Sequence, residues 1–414
     1  MEGGANMNTL KIIHKISSRY YLKEIFLVLM LASIVVFSNV VLEPFETYDT
    51  TREEIHQSLT LDFDNTLHFN PNITLAWSDI LNEDAIHYPE VHESLEQVPG
   101  TAAVLKNCQN TASYELDDHT CNINFVMYSE AFYEYIGAEL WTRYQDTDVD
   151  TGSAVPVLVS ATASSVLPVG TKQHFSVPFE DLEFDGVVVG VIDWECAIPV
   201  ANSYNNWGNL TTLGISEREY SGYDFMVAVY NPEKMTAVNW DYAAYVVPEA
   251  GVDFAKWSTD INQAVEKWGS CRPLTEIEAD AFEYLLENHL QEQLYFFLVL
   301  LVALFGFGGY LFLSVQERKQ QYAIFYILGM PRVDMLVYNL LQTTGICVVA
   351  VIVGWAASPW AAKKLFQMEQ YKSAGWLGTW CSALLLFITI ISSLVSSFAQ
   401  YRNASTISLY KGGD

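Results

Sequence analysis

Four stretches of this chain are continuously apolar, and the polar sequence is arranged around them. "IFLVLMLASIVVFSNVVL" occupies Ile25 to Leu42, and "LYFFLVLLVALFGFGGYLFLSV" occupies Leu294 to Val315 without a charge. "LVYNLLQTTGICVVAVIVGWAASPW" follows from Leu336 to Trp360. The fourth, "LGTWCSALLLFITIISSLVSSF" from Leu377 to Phe398, is diluted by serines, which often sit at helix contacts in membranes. A helix crosses a bilayer with roughly 18–20 apolar residues. One such run could be a buried core helix, but four together predict a membrane protein. The first run is long for a signal peptide and no small-x-small cleavage site precedes Glu43, so it reads as a retained anchor.

Between the first and second runs the pattern changes to short strands and amphipathic helices. "CNINFVMYS", "AVPVLVSA", "FDGVVVGVIDW", "YDFMVAVY" and "AAYVVP" are rich in β-branched and aromatic residues and predict strands. "SEAFYEYIGAELWTRY" and "DFAKWSTDINQAVEKWG" are helical, and "TTREEIHQSL" and "TEIEADAFEYLLENHLQEQL" predict helices flanking the domain. Before the first span, "NTLKIIHKISSRYYLK" sets Leu10, Ile13, Ile16 and Tyr20 at helical spacing with Lys11, Lys15 and Arg19 elsewhere, as in a basic helix lying on a membrane surface. The fold class is therefore an α-helical membrane protein with four transmembrane helices and a large α+β extracytoplasmic domain inserted between helices 1 and 2. The expected layout is an amphipathic helix over 1–24 and spans over 25–42, 293–315, 336–360 and 377–400. The outer domain takes 43–292, a cytoplasmic coupling segment 316–335, an outer loop 361–376 and a tail 401–414.

Charge sets the expected orientation. Residues 43–292 carry 43 Asp and Glu against 9 Lys and Arg, whereas the rest of the chain carries 6 acids and 12 bases. Lys and Arg collect in cytoplasmic loops, so both termini and the 316–335 segment are expected inside and the acidic domain outside. An outer domain this acidic is a poor partner for nucleic acid. Cys108, Cys121, Cys196 and Cys271 fall in it, an even number that permits disulfides in an oxidising compartment. Three pairings are open. Cys108–Cys121 is preferred because "CQNTASYELDDHTC" reads as a short excursion a bridge could pin, which leaves Cys196–Cys271.

Motifs for catalysis are missing. The sequence has no G-x-x-x-x-G-K-[ST], G-x-S-x-G or H-E-x-x-H. "DTDVDTG", Asp146 to Gly152, alternates carboxylates as a calcium loop does, but its glycine comes one place late and position 12 is Val157, which favours a solvated acidic turn. His87 and His92 in "HYPEVH" read as surface histidines rather than zinc ligands, and Asp193 and Glu195 as ordinary strand alternation. No catalytic residue, bound cofactor or metal is expected.

The remaining candidate is "SVQERKQQYAIFYILGMPRVDML", residues 314–336. Gln316 to Leu328 is long enough for three helical turns, with Tyr322, Phe325 and Tyr326 as an aromatic stripe and Arg318 and Lys319 near the membrane surface. Gly329 suits a helix C′ position, Pro331 stops continuation, and Met330 and Arg332 lead towards the third span. On the residues alone it is either a rigid lever between two spans or a plain amphipathic connector. The segment resembles the intracellular element of FtsX/MacB-type ABC transporter permeases, roughly R-R-x-E-I-x-x-L-[RK]-x-[LI]-G-[AM]-[ST]-[RKP]. Arg318, Lys319, Ile324, Phe325, Leu328, Gly329, Met330 and Arg332 match, while Gln321 stands where an acid is usual and Tyr326 where a base is common. "SLEQVPGTAAV" and "LPVGTKQHFSVPFEDLEFDGVVVGVID", with Gly170 and Gly190, are similar to elements of that family's outer domain, and the span order agrees.

The resemblance implies a non-catalytic permease subunit, in a bacterial plasma membrane, working as a homo- or heterodimer. Its cytoplasmic ABC ATPase would be a separate chain binding ATP and Mg, with an extracytoplasmic adaptor or hydrolase as further partners. The residues named in 314–336 would then contact the ATPase. The expected function is export or outer-leaflet extraction of a peptide, antimicrobial or lipid-linked substrate. The alternatives are signalling that activates a cell-wall hydrolase, and a membrane-anchored receptor or adhesin.

Overall fold

The computed structural model describes residues 21–72, 89–116, 119–177, 182–193, 196–202, 210, 213–216, 224–235, 238, 240–317, 332–365 and 375–402. They form two compact units. One is built from the chain up to Thr47 and from Asn288 onward, the other from Tyr48–Glu287.

The first unit is helical. It takes the N-terminal part of α1 (Tyr21–Ser58), the C-terminal part of α6 (Leu274–Glu317), α7 (Arg332–Leu365) and α8 (Gly375–Arg402). Each of these four helices contains a stretch long and apolar enough to cross a membrane. Leu27, Leu31, Ile34 and Val35 pack with Phe307, Cys347, Ala350 and Leu385 into one apolar cluster. Gly354 lets α7 come close to α1, because a Cβ there would lie 2.6 Å from Cβ of Val35. The wide outward faces of α6 and α8, including Phe297, Val302, Phe305, Trp380, Phe387 and Val395, stay exposed, as lipid-facing surfaces do.

The second unit is built on a nine-stranded sheet. Its strands are β1 (Leu67–Pro71), β2 (Thr101–Leu116), β3 (His119–Tyr128), β4 (Val155–Ser160), β5 (Lys172–Val177), β6 (Leu182–Ile192), β9 (Phe225–Val229), β10 (Ala244–Pro248) and β11 (Gly269–Pro273). A separate two-stranded ribbon pairs β7 (Ala197–Pro199) with β8 (Gly214–Ser216). The order is β11-β1-β10-β2-β3-β9-β4-β6-β5, and β5 also pairs with β2 at Ser176↔Ser113. That last pairing closes six strands into a ring.

Strand periodicity explains the two sides of the ring. Ile123, Phe125 and Met127 of β3, Val155, Val157 and Val159 of β4, and Met226 and Ala228 of β9 fill one cluster with Phe175 and Phe184. The alternate residues Val126 and Tyr128, Leu158, and Phe225 and Val227 face a second cluster with Phe132, Trp141 and Tyr245. A third cluster lies under two helices, α2 (Pro89–Glu96) and α5 (Phe254–Val265), where Val91, Leu95, Trp257 and Ile261 meet Leu67, Phe69, Val104 and Val246.

β2 belongs to both halves of the sheet. Its first part, Thr101 to Lys106, pairs with β10, and its second part, Asn107 to Leu116, pairs with β3. At the crossover Asn107 is fully buried, with both ends of its side-chain amide hydrogen-bonded. Its Nδ2 donates to Asp241 Oδ2 (3.1 Å), its Oδ1 accepts from Ala201 N (2.8 Å) and its carbonyl accepts from Asp241 N (2.9 Å).

The strands expected in the sequence are present as β3, β4, β6, β9 and β10. The helix expected over "SEAFYEYIGAELWTRY" is interrupted: α3 (Glu130–Phe132) and α4 (Ala138–Tyr144) flank a π-helical turn at Tyr133–Gly137. The expected disulfides are corrected by the sheet. Cys108 and Cys121 lie on adjacent strands, but Cys108 is opposite Met127 and Cys121 is opposite Tyr114. Six residues of strand separate the two positions, about 20 Å, far beyond the reach of a disulfide. Cys196 and Cys271 belong to different apolar clusters, and none of the four cysteines is in a disulfide bond. Burial raises the thiol pKa of Cys196 and, by much more, that of Cys271, which favours the protonated form in both. His92, expected at the surface, is 4% exposed on α2.

Candidate functional site

The sequence placed the functional residues in 316–335. Arg318, Lys319, Tyr322, Phe325, Tyr326, Gly329, Met330 and Pro331 lie outside the described residues, as do most of the basic N-terminal helix and His87 and Glu195. Arg332 is the first residue of α7. The structure thus describes what the segment joins: α6, which ends at Glu317, and α7.

In the helical unit polar side chains lie between helices. Asn39 of α1, with no exposed surface, donates to Ser358 Oγ of α7 (3.1 Å), which in turn bonds the Gly354 carbonyl (2.8 Å). Further along, Ser393 Oγ of α8 meets Thr343 Oγ1 at 3.4 Å, and Trp355 Nε1 donates to Ser382 Oγ (3.0 Å). Such bonds are retained in hydrocarbon because an unpartnered polar group there is costly. Glu46 Oε1 accepts from the backbone N–H of Trp376 (2.7 Å), placing a carboxylate at the N-terminus of α8.

In the second unit, α1 and α6 are tied by one carboxylate. Glu278 Oε1 accepts from Arg52 Nε and lies 2.8 Å from His56 Nε2. Tyr48 Oη donates to the Glu278 carbonyl (3.0 Å), and its ring packs on Phe282 at 5.4 Å. His56 is stacked on Phe63 at 4.0 Å with 14° between the planes. The start of α6 is fixed by backbone bonds from Leu274 N to Thr66 O (3.1 Å) and from Thr275 N to Phe63 O (3.3 Å). Sequence reasoning missed this clamp. Its signal was modest: Arg52 and His56 stand four apart on one flanking helix, and an acid-rich turn opens the other. Glu278→Ala is expected to cost about 1–2 kcal/mol, because Arg52 and His56 are themselves half-exposed and screened. A thermal melt of the full chain should drop by roughly 2–8 °C, and Glu278→Gln by less. An unchanged melt for Glu278→Ala would remove the clamp.

Among the described residues no group of three or more His, Cys, Asp or Glu could hold a metal ion. The "DTDVDTG" carboxylates are turned on the backbone: Asp146 Oδ1 accepts from Asp148 N (3.0 Å) and Asp150 Oδ1 from Gly152 N (3.1 Å). These are closed Asx turns. What the described residues show here is a carboxylate that ties α1 to α6 within the second unit.

Residues 294–409 match the FtsX-like permease C-terminal family, a range that holds α6 from Leu294 to its end and all of α7 and α8. No curated protein matches the chain. Solved structures with some likeness include the extracellular domain of the noncanonic ABC-type transporter YknZ from Gram-positive bacteria. That match has 11% identity and a TM-score of 0.28, covering 49% of this chain and 94% of that one. The periplasmic region of MacB from Actinobacillus actinomycetemcomitans shows 11% identity and a TM-score of 0.32, covering 54% and 96%. A domain of a permease protein from Porphyromonas gingivalis shows 12% identity and a TM-score of 0.27, covering 51% and 91%.

Proposed function

We propose, from the FtsX-like permease domain over residues 294–409, that this chain is the membrane subunit of an ABC system whose ATPase is a separate polypeptide. The ATPase binds the ATP and Mg, and this chain supplies motion. Nucleotide-driven closure acts on Arg318, Lys319, the Tyr322–Phe325–Tyr326 stripe and the Gly329–Arg332 stop. These residues join α6 to α7, so a push there moves both helices. The Glu278 clamp supports the next step, because it locks α6 to α1 where both enter the acidic domain. Both termini and 316–335 lie on the cytoplasmic side and the acidic domain outside, as the Lys and Arg distribution favours. The work done is export or outer-leaflet extraction of a peptide, antimicrobial or lipid-linked substrate, by a homo- or heterodimer of permease chains.

The observation that carries this reading is the family match over the three C-terminal helices. The test is co-purification of the chain with an ABC ATPase encoded beside it, followed by ATP turnover. Gly329→Pro and Arg332→Glu are each expected to lower coupled turnover by at least tenfold. If both variants associate and turn over ATP like the parent chain, the lever assignment is wrong.

A further inference from the structure

The acidic unit contains a cavity of about 430 Å³ that the mechanical reading does not use. Its volume falls in the range of small-ligand sites, about 300–1,000 Å³. Three segments build it: residues 60–66 after α1, the π-helical turn, and the loop from Val247 to Phe254 that joins β10 to α5. Each has a reason for its shape. Asp62 folds the first segment by accepting from Asp64 N (3.1 Å) and Asn65 Nδ2 (2.6 Å). The third turns at Gly251, whose φ of +85° suits glycine, and is held by Glu249 N donating to Gly100 O (2.7 Å).

The π turn brings Tyr135 to the cavity. Phe132 stacks on Tyr128 at 4.3 Å, and Phe132, Ile136 and Gly137 are buried. Beside them Tyr135 stays 40% exposed at the cavity, with its carbonyl bonded by Thr60 Oγ1 (3.2 Å). π turns within helices are frequent at functional sites. Leu61, Val247, Val252 and Phe254 give the wall apolar surface. Asp62 and Glu249 give it two carboxylates, and no Lys, Arg or His is among its lining residues. Glu249 is exposed, and among the described residues no ion pair involves it.

From this we infer that the cavity binds a basic peptide segment, with a Lys or Arg head between Glu249 and the Tyr135 ring and an adjacent apolar side chain on the Leu61–Phe254 wall. A cation gains from the face of a tyrosine as well as from the carboxylate. The long stem of Lys or Arg matches an apolar wall with an acidic rim. The excess of acids over the whole domain, 43 against 9 bases, would draw such a segment in before it docks. The inference rests on the preceding reading only in taking the acidic domain as the part that meets the substrate.

The experiment uses the full chain in nanodiscs of zwitterionic lipid, without ATPase or nucleotide, so that a failure of ATP coupling leaves its result intact. Three short capped probes are titrated by tryptophan fluorescence: one alternating lysine and leucine, one with glutamine for lysine, and one with glutamate for lysine. Binding to protein-free nanodiscs is subtracted. The lysine peptide is expected to bind at least tenfold more tightly than the other two. Tyr135→Ala and Glu249→Gln should each weaken it about three- to tenfold, and the pair together more than tenfold. Glu115→Gln, an exposed acid outside the cavity, should leave binding unchanged. Melting curves confirm that each variant is folded, which the exposure of both side chains favours. Equal loss in Glu115→Gln, or parental binding in the Tyr135→Ala/Glu249→Gln pair, overturns the site in favour of diffuse charge attraction. Equal binding of the glutamine peptide overturns the cation requirement.

Discussion

Replacing Gly190 by valine should lower the melting temperature of the full chain by roughly 6–12 °C, the largest single-residue effect on stability argued for the acidic domain. Gly190 lies in β6, where it forms an isolated antiparallel bridge with Gln145 at the end of α4. The chain turns tightly there: Gln145 N donates to Trp141 O (2.8 Å), and Asp146 N to Val189 O (2.6 Å). A Cβ at position 190 would overlap the carbonyl oxygen of Tyr144 and lie 3.0 Å from Cδ2 of Leu158. The first obstacle is backbone held by its own hydrogen bonds, so it cannot swing aside as a flexible side chain would. Overpacking of this kind costs about 3 kcal/mol or more. For a domain of about 250 residues each kcal/mol is roughly 2–4 °C. Gly170→Ala is the comparison. That glycine has φ +88° and nothing within 4 Å of its missing Cβ, so alanine meets only the backbone penalty of about 1 kcal/mol. Both glycines stand in the stretch that resembles the family's outer-domain hairpins, yet one serves conformation and the other close approach. If Gly190→Val melts no lower than Gly170→Ala, the packing account of β6 against α4 is wrong.

Acidification should unfold the same domain steeply between pH 6.5 and pH 4, through two buried histidines. His68 of β1 has no exposed surface and meets the Tyr245 ring edge-on at 5.6 Å. Burial pushes its pKa down to about 3. His92 of α2 is pushed down to about 4, by burial first and then by the nearby Lys106 cation. In both, the folded value lies below the ordinary 6.5 of the unfolded chain. The unfolded state therefore binds more protons over the interval, and stability falls as pH drops below 6.5. The loss levels off at about pH 3 for His68 and pH 4 for His92. Each histidine contributes about 1.4 kcal/mol per pH unit, so the pair removes roughly 5 kcal/mol by pH 4.5. The fluorescence of buried Trp141 and Trp257 reports the transition. His68→Asn with His92→Gln should flatten the stability profile above pH 4.5, whatever its effect at pH 7. An acid transition of unchanged steepness in that double variant would assign the effect to the domain's many carboxylates.

What could be read from the sequence was read where one physical effect dominates. The apolar runs stand out because hydrocarbon tolerates few polar residues over a helix length, and α1, α6, α7 and α8 follow. β3, β4, β6 and β9 were legible because valine, isoleucine and aromatic residues alternate there. β2 was not, since "TAAVLKNCQNTASYEL" puts small or polar residues such as Cys108, Ala112 and Asn107 in buried places that only a closed ring creates. The same blindness produced the Cys108–Cys121 pairing: a stretch that looked like an excursion is a hairpin whose ladder fixes both cysteines out of reach. His92 looked solvent-facing because a short polar helix hides its one inward stripe. The Glu278 clamp and the Tyr135 cavity are assembled from segments far apart in sequence, and no local spacing announces either one.

The crossover in β2 also fixes how the acidic domain responds to force. A pull on one half of the sheet reaches the other through β2 and through the cluster in which Tyr245 packs near Phe132, and the ladder partners change hands between Lys106 and Asn107. A strand shared in this way ties the two halves together, because separating them would break ladder bonds on both of its parts. Asn107 fastens that point, bonded to the chain at 201 and at 241. The amides flanking Asn107 are therefore expected to be among the last of the domain to exchange with deuterium.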